Sequence, residues 1–102
     1  GVAYKPNIND ERESPALDIM DIVAYKGGEV SYHDPYIAKV RTNEGRLYES
    51  VELTKETLGS ADCVVLTTNH KDFDTGFIQK HARLIVDLRN TIKESTDSVY
   101  KL

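Results

Sequence analysis

The apolar positions fall into two kinds of pattern. After Ser14-Pro15, the residues Leu17, Ile19, Met20, Ile22, Val23 and Ala24 fill a wide arc of a helical wheel. Only a narrow polar stripe remains at Asp18, Asp21 and Tyr25, so the spacing predicts a helix lying on a sheet. Ser14 suits the N-cap and Pro15 the first helical position, where its missing N–H is not needed. Lys26 complements the negative end of the helix, and Gly27-Gly28 supplies a left-handed stop. The second pattern is a continuous apolar, β-branched run, at residues 63–68 and again at 84–88. Strands buried on both faces, as in parallel sheets, have this composition.

The remaining segments are read from their punctuation. Residues 29–34 alternate and end at Asp34-Pro35, since proline cannot continue a ladder. Thr42-Asn43-Glu44-Gly45 predicts a turn, with a short edge strand from Arg46 to Val51. Thr54 caps a short helix through about Leu58, closed by Gly59. Asp74 caps a helix over Thr75 to His81. Residues 90–102 turn polar and lose periodicity, which predicts a loosely held tail. Gly1-Val2-Ala3-Tyr4 reads like the end of a strand, so a domain cut from a longer polypeptide is expected. Alternating strands and helices predict an α/β fold with right-handed crossovers. The expectation is a Rossmann-like three-layer domain with a mostly parallel sheet of strand order 3-2-1-4-5. The domain would span 1–90 and the polar C-terminal tail 91–102.

Composition narrows the field. The 102 residues fit one domain, and the net charge of -4 carries no basic stripe for nucleic acid. No apolar run reaches the roughly 18 residues that cross a bilayer, so no membrane partner is expected. The single cysteine excludes an internal disulfide and a cysteine-cluster metal site, and it agrees with a reducing, cytoplasmic setting. No metal spacing stands out elsewhere.

Ligands of open α/β sheets sit outside the carboxyl ends of the strands. The predicted strands deliver Tyr4, Lys5 and the loop to Arg12, then His33 and Asp34, then Thr67, Thr68, Asn69 and His70, and last Asp87, Arg89 and Asn90. Lys5, Arg12 and Arg89 would share one edge, which suggests an anionic ligand, since arginine grips phosphate bidentately and lysine acts as a point charge. The competing explanation is solvated surface charge, because Lys and Arg make up 13 of the 102 residues. The glycine-rich dinucleotide fingerprint is absent after the first strand, so NAD is not expected to bind here in the standard way. Asp34 is expected to cap the turn at Pro35. Cys63 reads as a structural buried thiol. His33 reads as packing or surface and His81 as a helix-end residue, while His70 could reach a ligand at this edge. No catalytic residue is identified.

Gly1-Val2-Ala3-Tyr4-Lys5-Pro6, followed by residues 10–16, resembles the opening of the C-terminal domain of the UDP-glucose/GDP-mannose dehydrogenase family. The resemblance continues through Tyr32-His33-Asp34-Pro35-Tyr36, Ala61-Asp62, Thr68-Asn69-His70 and residues 85–90, covering most of 1–90. The Tyr-His-Asp-Pro-Tyr wording is most similar to the bacterial branch that oxidises UDP-N-acetylhexosamines. The resemblance implies an enzyme that oxidises the sugar C6 alcohol to a carboxylate while reducing two NAD in succession, in polysaccharide biosynthesis. It implies an N-terminal domain that holds NAD and a helical central segment that forms a homodimer and carries the catalytic cysteine. It further implies that Tyr4, Lys5 and Arg89 contact the UDP-sugar and that Arg12 reaches toward NAD. Cys63 does not match the family's glycine-rich cysteine motif, so the fragment alone is expected to lack chemistry. The alternative is a non-catalytic Rossmann-like module that binds an anionic metabolite or a protein partner.

Overall fold

A computed structural model describes residues 1–2, 15–68, 73–89, 92 and 98–101. The elements run α1 (Pro15–Tyr25), β1 (Lys39–Arg41), β2 (Leu47–Glu49), α2 (Lys55–Ser60), β3 (Val64–Leu66), α3 (Thr75–His81), β4 (Ile85–Asp87) and β5 (Val99–Lys101). The fold is α/β, with a parallel three-stranded sheet in the order β3-β4-β5. The order 3-2-1-4-5 is not formed among the described residues. β1 and β2 make a separate antiparallel hairpin, and among the described residues, positions 29–34 contribute a single parallel bridge between Tyr32 and Ser50.

Local chemistry explains where the helices begin and end. Thr54 accepts the Thr57 N–H at 3.1 Å, and Thr57 Oγ1 accepts the Thr54 N–H at 2.9 Å, so a reciprocal cap starts α2. Gly59 lies inside this helix rather than closing it. Asp74 Oδ1 accepts the Phe77 N–H at 3.0 Å at the start of α3. At the end of α1, the Gly28 N–H reaches the Val23 carbonyl at 2.9 Å and the Gly27 N–H reaches Ala24 at 3.1 Å. Gly27 takes a φ of 95°, the left-handed conformation this cap demands. The proposed cap at Ser14 lies outside the described residues.

The orientation of α1 differs from the expectation. Its buried face is Ala16, Leu17, Met20 and Asp21, while Ile22 and Val23 are exposed. Of the polar stripe, Asp21 turns inward because the hairpin turn supplies donors for it, while Asp18 and Tyr25 stay exposed. Burial opposes ionisation of Asp21, but the Thr42 hydroxyl, the Glu44 N–H at 3.2 Å and the Arg46 guanidinium at 3.1 Å outweigh that cost. Together they hold its carboxyl below the usual carboxylate range. Asn43 Nδ2 adds a bond to Asp18 at 3.0 Å. The turn itself forms as expected, with the Gly45 N–H on the Thr42 carbonyl at 2.9 Å.

The core divides into two clusters. One gathers Val2, Leu17, Met20, Tyr32, Ile37 and Val40 between α1, the hairpin and residues 30–37. The other gathers Leu58, Leu66, Ile78, Ile85, Ile92 and Val99 between the parallel sheet and the helices α2 and α3. Ile92 and Val99 correct the expectation of a loosely held tail, because both are buried and β5 pairs in parallel with β4.

Two expectations follow. Replacing Ile85, which is fully buried, by alanine should cost about 3 kcal/mol in urea unfolding. Asp21 is lowered in the folded state, so its contribution is complete above the ordinary carboxylate value of about 3.9 and is lost as pH falls through the lowered folded value. The gap in melting temperature between the wild type and Asp21→Asn should therefore be widest near neutral pH and close in acid. A gap that stays constant across that range would refute the carboxylate's role.

Candidate functional site: the carboxyl edge of the strands

The site is built from chain segments leaving the sheet. Asp87 closes β4 and is completely buried. An unpaired carboxylate there would be costly, and backbone donors satisfy it instead. Its Oδ1 accepts the Arg89 N–H at 3.1 Å, and its Oδ2 accepts the Ile92 N–H at 2.8 Å. The chain after β4 is thus folded back around one side chain. This bend leaves Arg89 exposed, and among the described residues no acid pairs with its guanidinium.

Asp34 does the same work on the neighbouring lobe. It is buried, and its Oδ1 accepts the Tyr36 N–H at 2.8 Å, which is the cap expected at Pro35. Its second oxygen was not anticipated from the sequence. Oδ2 accepts the Val2 N–H at 2.8 Å across 32 positions of chain. The Thr67 hydroxyl, just past β3, donates to the Gly1 carbonyl. Gly1 and Val2 are therefore held between the end of residues 30–34 and the end of β3.

These contacts bring Gly1-Val2, Asp34 and Thr67 together, and they fix the backbone that presents Arg89. Tyr4, Lys5, Arg12, Asn69, His70 and Asn90 lie outside the described residues. Asp34 and Asp87 stand at this edge too, but both carboxylates are engaged with backbone N–H groups. They shape the loops and do not offer charge to a ligand. The sequence signal for them is an acid closing an extended segment, followed directly by Pro35 in one case and two residues on by Arg89 in the other.

The other candidates resolve individually. His33 is half-buried; its Nδ1–H donates to the Val51 carbonyl at 2.7 Å, and its ring lies 6.0 Å from that of Phe73. That is a packing role, as expected. His81 ends α3 with its ring 4.7 Å from Phe77, edge to face. Cys63 is exposed, not buried, because it precedes β3 at the sheet's border. Partial desolvation still pushes its thiol above the ordinary range, so it carries little thiolate near neutral pH.

Residues 1–94 match the family described as UDP-glucose/GDP-mannose dehydrogenase family, UDP binding domain. A UDP-N-acetyl-D-mannosamine dehydrogenase of Pyrococcus horikoshii is 34% identical over 100 residues, covering 92% of this chain and 21% of the relative. A UDP-glucose 6-dehydrogenase of Rhizobium meliloti is 29% identical over 102 residues, covering 92% of this chain and 23% of the relative. A solved structure of the UDP-D-ManNAc dehydrogenase from Pyrococcus horikoshii superposes with a TM-score of 0.73 at 29% identity, over 99% of this chain and 23% of that one. The chain thus spans about a fifth of the length of these relatives. With a sequence match through residue 94 and the same backbone course in a solved relative, the chain belongs to the UDP-glucose/GDP-mannose dehydrogenase family and corresponds to its UDP binding domain.

Proposed function

We propose that this chain is the nucleotide-sugar-binding part of a longer NAD-dependent UDP-sugar 6-dehydrogenase. The observation that carries the reading is Arg89, exposed at the carboxyl end of β4 on a backbone pinned by the buried Asp87. A guanidinium presented this way suits a diphosphate, because its planar fork can give two parallel hydrogen bonds. Tyr4 and Lys5 would meet the same UDP-sugar, with Lys5 supplying a point charge. Arg12 would reach across a cleft toward NAD held by the N-terminal domain.

NAD would supply the oxidant, two molecules in succession each accepting one hydride as the C6 alcohol becomes a carboxylate. This chain has no Gly-x-Gly-x-x-Gly turn to cradle a pyrophosphate. Its own share is to hold the nucleotide, so that binding energy from the remote UDP places C6 at groups in the other domains. The catalytic cysteine would come from a central segment that also forms a homodimer. A cytoplasmic, reducing setting suits the lone thiol. The named relatives point to either an N-acetylmannosamine or a glucose nucleotide, and they include archaeal proteins as well as bacterial ones.

Calorimetric titration of UDP into the 102-residue chain should give weak binding that falls as salt is raised. In the longer enzyme, Lys5→Ala and Arg89→Ala should each weaken UDP-sugar binding about tenfold, the loss of one charge-assisted contact. Unchanged affinity in both variants would defeat the site assignment. The 102-residue chain supplied with UDP-sugar and NAD should produce no NADH absorbance. UDP binding without any weakening in those variants would favour an anion-binding module of another kind.

A further inference from the structure

β4 is the middle strand of the parallel sheet, with β3 on one side and β5 on the other. Its last residue, Asp87, stands in register with Leu66 and Lys101, so its backbone is held from both sides. The side chain divides its two oxygens between two pieces of chain. Oδ1 accepts the N–H of Arg89, two residues on, at 3.1 Å. Oδ2 accepts the N–H of Ile92, five residues on, at 2.8 Å. Those two residues end in opposite surroundings. Arg89 is exposed at the carboxyl edge, whereas Ile92 is buried with Val99 in the second core cluster.

Val99 begins β5, which runs parallel to β4. The Ile85 N–H donates to the Ser98 carbonyl at 2.8 Å. Alternation along the ladder then directs the Tyr100 N–H back to β4. Two things hold β5: a ladder of three residues and the burial of Ile92 and Val99. Both are modest, and short outer elements of this kind open locally most readily. If β5 and Ile92 came away from β4, Oδ2 would lose the Ile92 donor and open to water. The carboxylate would then be free to turn, and the Arg89 loop would lose its anchor. A buried charge keeps one orientation only while its donors stay in place.

We infer that Asp87 is a positioning residue for the nucleotide, and that β5 is the brace it depends on. The carboxylate couples the docking of β5 to the presentation of Arg89. Ligand on Arg89 tightens β5, and loosening β5 weakens the ligand, since coupling between sites is reciprocal. The inference deepens the UDP-sugar reading of Arg89 and rests on it.

Variants of the longer enzyme test it, each titrated calorimetrically with UDP. Val99→Ala loosens β5 and alters neither Asp87 nor Arg89. It should weaken UDP binding about fivefold. Leu58→Ala removes more buried surface from the same cluster but lies on α2, and it should leave the Kd unchanged. A merely structural role would lower the number of binding sites rather than their affinity, and would treat both variants alike. A wild-type Kd in Val99→Ala, or equal losses in the two variants, would overturn the proposal. Asp87→Asn keeps the shape but sets an NH2 group against one of the two N–H donors. Its affinity should fall at least as far, and adding Val99→Ala to it should cost nothing more, whereas additive losses would overturn the coupling. From the ligand side, saturating UDP should slow hydrogen exchange at the Tyr100 amide about fivefold in the wild type and not in Asp87→Asn. Unchanged exchange in the wild type would also overturn it. Arg89→Ala separates the two readings. If it bound UDP as the wild type does, the ligand assignment would fail and take this inference with it. If it bound weakly while Val99→Ala and Asp87→Asn bound normally, the coupling alone would fail.

Discussion

The bond from the Val2 N–H to the buried carboxylate of Asp34 is the constraint on which the arrangement depends. A carboxylate removed from water is tolerated only when its oxygens are occupied. Tyr36 supplies one local donor, and the other has to come from a distant part of the chain. That requirement seats Val2 in the core beside Leu17 and Met20, and it brings the Gly1 carbonyl to Thr67 at the end of β3. One short piece of backbone so links the lobe built on α1 to the lobe built on the parallel sheet. Asp34→Ala would leave the Val2 N–H buried without that acceptor and loosen this link.

Asp87 repeats the device on the other side of the edge. Both acids sit at the carboxyl end of an extended segment, both are buried, and both spend their charge on backbone donors. Among the described residues of the edge, these two acids are therefore not presented as an acidic surface. This matters for an anion, since an open carboxylate beside Arg89 would compete for the same guanidinium. On the proposed reading, the charges of Asp34 and Asp87 are consumed in shaping their loops and the charge of Arg89 is left for the ligand.

Features fixed within a few residues were legible in the sequence, and features fixed by distant partners were not. The Thr54 and Asp74 caps, the Gly27 stop and the turn at Thr42 to Gly45 are local chemistry, and the structure places them where their residues predict. The β-branched runs at β3 and β4 were equally plain. Asp21 misled because a helical wheel scores it as solvent-facing, and only the folded hairpin brings Thr42, Glu44 and Arg46 to it. Residues 29–34 alternate like a strand, but among the described residues they pair only at Tyr32. Polar composition hid Ile92 and Val99, single apolar residues whose burial depends on the sheet edge beside them. At the site, Arg89 could be placed by its strand, whereas the Val2 to Asp34 bond spans too much chain for any local pattern to reveal.

The split core and the proposed function share one physical logic. The two clusters are tied to each other where Asp34 holds Val2 and Thr67 holds Gly1. The backbone running on from Gly1 and Val2 toward Tyr4 and Lys5 then starts from a fixed point. Positioning a sugar C6 at groups carried elsewhere demands that kind of rigidity, since a displacement of about 1 Å at the nucleotide can cost on the order of 100-fold in rate.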